Sequence, residues 1–475
     1  MQRSAQGRSA APGSVDNPSV VPQTLRAIYG MGDNLSGARQ RSSVANASLS
    51  QAVAELQHVL GPEGFAEGDM AAFSKAMLLD DSVAPVSVVG GKNDGIDPTG
   101  ESTADLQIIG AVAQVVSTVY WMVDEWVYEL ALALSASEAP PSVVSISWGF
   151  AETRQCGPTD FGPDMPANCS LLGILSNTSY VWRANAEFLK LSARGVTLVA
   201  SSGDSGAPGS ANPSCAHDDN PTRALNPEFP AASPYVLSVG ATALDTDPAA
   251  PAVRILSRLS ASTPKPCRLS LLGPSLQCAA NGTERAATSR GGAARITSGG
   301  GFSRLAARPK WQAAAVQAYL AQMAAALPPA EYFNGSSGRA YPDVAALGHN
   351  VLIYQAGAGA KGKGKDWVHF DGTSAAAPIW AGIISTLNAE RAAIGRAPLG
   401  FAPPLLYSFA AAEAAKGSAG FNAPRAASSN ECTAEGICCS HGFPTNSAKG
   451  GGWDPVLGLG SPKVDRLAEY VRALP

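Results

Sequence analysis

The sequence predicts an α/β fold built on a mostly parallel central sheet flanked by helices. Three observations carry this reading. Short apolar runs end in Gly or Ser, helical stretches lie between them, and a chain of 475 residues is long enough to bury a large core. In chain order, "VSVVGG" (86–91), "SVVSISWG" (142–149), "GVTLVASSGDSG" (195–206), "YVLSVGAT" (235–242) and "NVLIYQAG" (350–357) read as buried strands. "AEFLKLSARG" (186–195), "AVQAYLAQMAAAL" (315–327) and "AAPIWAGIISTLNAERAAIG" (376–395) read as helices. In such sheets functional loops gather at the carboxyl ends of the strands.

Other stretches set the boundaries. Residues 1–20 are polar and read as a disordered tail or propeptide remnant, with the folded domain running over 21–475. Residues 246–298 are rich in Pro, Ser, Ala and Arg, break the strand–helix rhythm, and read as a surface insertion stapled by Cys267 and Cys278. "LQIIGAVAQVVSTVYWMV" (106–123) carries no charge, but acids bracket it and its second half is β-branched and aromatic. It reads as a buried helix followed by a strand, so no membrane span is expected.

Composition narrows the function. The chain is 45% hydrophobic and 15% charged with net charge −4, which argues against nucleic acid as a partner. Eight cysteines fall as Cys156/Cys169, Cys267/Cys278 and Cys432/Cys438/Cys439, with Cys215 alone. Zinc-ligand spacing is absent, so disulfides and an oxidising compartment are expected. Six sequons agree: Asn34, Asn46, Asn168, Asn177, Asn281 and Asn334. The opening "MQRSAQGRSAAPGSVDNPS" shows no signal-peptide core, which reads as a processed form or a gene model short of its true start.

The chemistry starts from "DGTSAAAPIW" (371–380), where Ser374 opens a small-residue helix. A serine hydroxyl needs a base to take its proton. The five histidines (His58, His217, His349, His369 and His441) lie in no setting that suggests catalysis, and His369 reads as a strand-end side chain. Carboxylates are the alternative. Glu101 and Asp105 stand at i, i+4 in "GESTADLQIIGA", one turn apart on one helix face. Such a pair shares a proton, so one member can accept the serine proton while the other holds it in place. With 38 acids in the chain, pairs at this spacing also arise by chance on solvated faces. "ASSGDSGA" (200–207) sets Asp204 between glycines just after a strand. It reads either as a turn residue or as a protonated carboxyl that donates to an oxyanion.

Together these segments resemble the sedolisin family of serine-carboxyl peptidases, and within it the tripeptidyl-peptidase I branch. "GESTADLQ", "SISWG", "SSGDSGA", "EFPAASPYVLSVGAT", "SGGGFSR", "FNGSSGRAYPDVAAL", "DGTSAAAP", "GRAPLGFAPPLLY" and "GGWDPVLGLGSP" carry the resemblance, from about Val21 onward. It implies a subtilisin-like single catalytic domain with Ser374 as nucleophile, Glu101 as base and then acid, Asp105 as orienter, and Asp204 as oxyanion donor. Backbone at Ser147, Trp148 and Gly149 would pair with substrate as an added strand. The resemblance also implies one calcium ion (Ca2+) in 421–462, on Gly450, Gly452 and Asp454. An upstream aspartate that normally completes that site is replaced near Ala423 and Pro424, with Glu431 or Glu435 as stand-ins. Implied function is an acid-active, monomeric tripeptidyl-peptidase acting on peptides or unfolded proteins, in a lysosome or vacuole or secreted. The alternatives are a sedolisin-type endopeptidase, a silent peptide-binding relative, or an ordinary Ser-His-Asp hydrolase. Family members also carry a large N-terminal propeptide, and the 246–298 stretch is longer than in vertebrate tripeptidyl-peptidases.

Overall fold

The computed structural model describes residues 19–31, 50–56, 64–79, 86–93, 100–114, 116–123, 125–156, 169, 172–245, 283–356, 367–423, 428–446 and 452–475. Its strands in chain order are β1 (Ser50–Leu56), β2 (Val86–Val89), β3 (Ser117–Val123), β4 (Val143–Ile146), β5 (Phe150–Ala151), β6 (Thr197–Ser201), β7 (Glu228–Phe229) and β8 (Leu237–Asp245). They continue with β9 (Thr283–Ala286), β10 (Gly301–Ala307), β11 (Gly338–Tyr341), β12 (Val344–Leu347), β13 (Val351–Tyr354), β14 (Trp367–Phe370), β15 (Phe421–Asn422) and β16 (Ser461–Pro462). The α-helices are α1 (Pro22–Tyr29), α2 (Glu67–Ala76), α3 (Gly100–Val112), α4 (Val127–Ala136), α5 (Asn177–Ala193), α6 (Ala313–Met323), α7 (Thr373–Ala393), α8 (Pro403–Ala415) and α9 (Val464–Ala473).

The central sheet runs β12-β8-β6-β4-β1-β3-β2, with every neighbour parallel, and β9 adds antiparallel to β8. Side chains alternate between two cores, as the two-residue period of a strand requires. Val53, Val143 and Val199 face the layer of α3 and α7, whereas Ala52, Val144 and Leu198 face α4 and α5. The segment 106–123 divides into the end of α3 and β3, and among the described residues no helix is long and apolar enough to cross a membrane.

Three expectations are corrected. "NVLIYQAG" does form a strand, β13, but it pairs with β14 in an antiparallel hairpin outside the central sheet. Its two apolar faces are covered by side chains of α2 and α3 and their neighbours, so continuous hydrophobicity there reflects helix packing. The 246–298 stretch is not all surface insertion. Residues 246–282, with Cys267 and Cys278, lie outside the described residues, while β9 and the following turn pack on β8 through Ala286, Ala287 and Ile296. The fold also begins before residue 21: Ser19 and Val20 are buried, and Val20 bridges to Val351.

Two helices set the stage for chemistry. α3 joins the parallel strands β2 and β3, so its N-terminus lies at the carboxyl edge of the sheet. The N-terminus of α7 lies at the same edge, held by Gly372 N–H donating to the carbonyl of Gly348, just past β12. The two helices therefore run parallel and pack closely. Gly382 makes the approach possible: a Cβ there would stand 2.7 Å from Val112 Cβ and 3.2 Å from the Ile109 carbonyl.

Candidate active site

Ser374 sits in the first turn of α7 and is buried. Its hydroxyl donates to the Ser147 carbonyl at 3.3 Å, and the Ser147 hydroxyl donates back to the Ser374 carbonyl at 3.4 Å. The second bond has a cause in the sequence. Pro378 lies four residues on and has no N–H, so the Ser374 carbonyl lacks its helical donor. Ser147, Trp148 and Gly149 follow the carboxyl end of β4 directly beside the nucleophile. The Trp148 side chain points into the core on the α4 and α5 side, so only its backbone is on offer.

Asp204 lies past the end of β6, after Gly203, whose φ of 104° and 3.1 Å clearance from Glu228 Cγ admit no side chain. Asp204 Oδ1 accepts both the backbone N–H and the hydroxyl of Thr373 at 2.8 Å. Oδ2 faces the Gly372–Ser374 turn, 3.4 Å from where a Cβ on Gly372 would stand. Burial raises the Asp204 pKa despite the two Thr373 hydrogen bonds, and the nearby Asp371 charge raises it further. Asp204 thus holds its proton more readily than an ordinary aspartate, and its partner Thr373 stands one residue before the serine.

Glu101 and Asp105 lie in the first half of α3, both buried. Ile109 faces Gly382 across the helix pair. Ser374 and Glu101 each stand eight residues before that contact on parallel helices, about 12 Å of rise. The register therefore carries Glu101 and Ser374 to one level. The α3 N-terminal turn also favours a negative charge. The structure brings Ser374, Ser147, Thr373 and Asp204 together by hydrogen bonds and sets the carboxylate pair on the adjoining helix.

No described histidine hydrogen-bonds Ser374. His369 Nε2 is paired with the Ser19 hydroxyl at 2.8 Å, and burial lowers its pKa. His349 Nδ1 is paired with Asp371, which also ion-pairs with Arg295 at 3.2 Å. The sequence reading missed this cluster, although "HFDG" and "GHN" flank the site in the chain.

The calcium expectation rests on Asp454, Gly452 and Gly450, and Gly450 lies outside the described residues. Asp454 Oδ2 accepts the Asn446 N–H at 2.9 Å, and Oδ1 accepts those of Val456 at 3.0 Å and Leu457 at 2.8 Å. This donor set builds a closed turn. Among the described residues no group of three His, Cys, Asp or Glu ligands includes Asp454. Glu431, a stand-in expected from the sequence, is paired with Arg290.

Among the described residues three disulfides join Cys156–Cys169, Cys215–Cys439 and Cys432–Cys438. The second had no sequence signal, because its partners are 224 residues apart.

A sequence model of the Subtilase family matches residues 109–397, which include Asp204 and Ser374. The chain belongs to the subtilase family. It is 38% identical over 413 residues to physarolisin of Physarum polycephalum, covering 87% of this chain and 63% of that protein. It is 32% identical over 354 residues to tripeptidyl-peptidase sed1 of Aspergillus fumigatus, covering 71% and 42%. To tripeptidyl-peptidase 1 of Homo sapiens it is 34% identical over 295 residues, covering 61% and 40%. The chain thus spans less than two thirds of the length of these relatives. The structure of Pseudomonas sedolisin in complex with two molecules of pseudo-iodotyrostatin shares the fold, with a TM-score of 0.60 at 19% identity, covering 97% of this chain and 99% of that one.

Proposed function

We propose that this subtilase is a sedolisin of the tripeptidyl-peptidase I branch, which hydrolyses peptide bonds at acidic pH through an acyl-enzyme and releases tripeptides from free N-termini. The observation that carries the proposal is the buried Asp204 carboxyl, its pKa raised by burial, fixed by Thr373 beside Ser374 at a site where no described histidine bonds the serine. Ser374 Oγ attacks the substrate carbonyl carbon as Glu101 takes its proton. Asp105 holds Glu101 in place. The oxyanion accepts a hydrogen bond from the protonated Asp204, a donor of a kind worth about 3–4 kcal/mol in the transition state. Glu101 then passes the proton to the leaving amine, and water releases the acyl group by the reverse sequence. Backbone at Ser147, Trp148 and Gly149 lines up the substrate as an extended strand.

The tripeptidyl specificity is supported by the names of the Aspergillus and human relatives. The disulfides support an oxidising compartment, and the raised pKa of Asp204 supports an acidic lysosome or vacuole, or secretion into an acidic medium. The test is an assay of purified protein at pH 4 on tripeptidyl fluorogenic peptides with free and with blocked amino ends. Cleavage confined to free ends is expected. Equal cleavage of blocked peptides would make the enzyme an endopeptidase, and no cleavage by folded protein would make it a peptide binder.

A further inference from the structure

The nucleophile segment carries a second acid, Asp371, that the reaction above does not use. Two segments converge on it. His349 Nδ1 and the Asn350 N–H, both from the turn after β12, meet Asp371 Oδ1, the latter at 3.0 Å. Arg295, from the turn after β9, approaches Oδ2 at 3.2 Å. Gly372 N–H donates to the Gly348 carbonyl at 2.9 Å and closes the same ring of contacts. Asp371 is fully buried at its side chain, and Arg295 is about one-third exposed, at 34%.

This arrangement keeps Asp371 ionised. Burial opposes its charge, but the hydrogen bond and charge of His349, the Asn350 N–H and Arg295 outweigh burial and hold its pKa below the usual aspartate value. His349 offers its Nδ1–H to Asp371 whether or not Nε2 also carries a proton. His369, two residues before Asp371, is tied to Ser19, and the Glu228 carboxyl, its pKa raised to about 7 by burial, faces Asp204 from β7. Asp371 is joined through Gly372 to Thr373, whose N–H and hydroxyl hold Asp204 Oδ1. One anion is therefore fixed in the backbone segment that clasps the other carboxyl. Like charges in one low-dielectric site cannot both form easily.

We propose that Asp371, braced by His349 and Arg295, is a positioning residue that keeps the proton on Asp204 and thereby sets the upper pH limit of peptide hydrolysis. This rests on the reading of Asp204 as the oxyanion donor. An anion beside Asp204 makes a second negative charge costly, so the donor stays neutral to a higher pH. Arg295 opposes this effect in part, so its removal acts in the other direction.

The test is the pH profile of kcat/KM on a free-amino tripeptidyl substrate for the full chain and three variants. Asp371→Asn retains acceptors for His349 and Asn350 but removes the charge. Its alkaline limb is expected to move down by about half to one pH unit, with kcat at pH 4 within about threefold of the parent. Arg295→Met is expected to move the limb upward. Asp204→Asn is expected to lose about 10²–10³-fold in kcat at every pH. If Asp204→Asn is inactive but the Asp371→Asn limb does not move, this inference is overturned while the oxyanion assignment stands. If Asp204→Asn keeps full activity, the oxyanion assignment itself fails and this inference with it. Should Asp371→Asn not fold, Arg295→Met decides: an upward shift supports the role of Asp371, and an unmoved limb overturns it.

Discussion

At the residue scale the choice of base separates this site from an imidazole-driven hydrolase. Glu101 lies on the helix packed against that of Ser374, whereas His369 is engaged by Ser19. Glu101→Gln is expected to lower kcat by about 10²–10⁴-fold, the usual worth of a general base, with KM little changed. His369→Ala is expected to stay within a few-fold of the parent. Steady-state kinetics at pH 4 checks both, and the opposite ranking would return the base to histidine. Ser374, Glu101, Asp105 and Asp204 were singled out in the chain through the resemblance of several short motifs together, because spacing alone does not separate such an acid pair from a solvated helix face. The Asp371, His349 and Arg295 cluster was not, because its members come from three distant segments joined only by the fold. Pro378 belongs in between: its position in the helix is evident in the chain, but the Ser147 hydroxyl that answers the carbonyl it frees is not.

At the element scale the site depends on how closely α3 and α7 approach. Gly382 is the contact point, and a Cβ there meets Val112 at 2.7 Å. Overpacking of this kind typically costs about 1–3 kcal/mol. Gly382→Ala is expected to destabilise the protein by about that amount and to lower kcat, because the shift moves Glu101 relative to Ser374. Urea unfolding and kcat measured on the same preparation check this. A variant with parental values in both would show that the helices have room to spare. Most sheet strands were legible from apolar runs bounded by Gly or Ser. The strand order was not, since "NVLIYQAG" has the same composition whether strands or helices cover it. β1, with the polar residues Gln51 and Glu55, sits at the centre of the sheet without advertising it.

At the scale of the whole molecule the buried acids favour the protonated state. Burial pushes Glu152 and Glu228 from 4.5 to about 7, and Asp454 from 3.8 to about 6. For an acid whose pKa rises on folding, the stabilising contribution is full below the unfolded value and is lost as pH climbs through the folded one. These groups therefore weaken the fold between about pH 4 and pH 7. Asp371 acts in the opposite sense, and its contribution fades only as pH falls through the aspartate range below 3.8. The unfolding free energy from urea titration is expected to be larger at pH 4.5 than at pH 7.5. A flat profile would mean that these carboxyls ionise freely in the native state. One covalent link also joins the ends of the catalytic scheme in time. The loop after Asp204 is anchored to the region around residue 430 by Cys215–Cys439, by Ala207 N–H on the Asn430 carbonyl, and by the fit of Gly206 against that carbonyl. During synthesis the ribosome delivers that anchor long after it has delivered the aspartate. A nascent polypeptide therefore lacks this tether for the loop after Asp204 until residues 430 and 439 have left the ribosome.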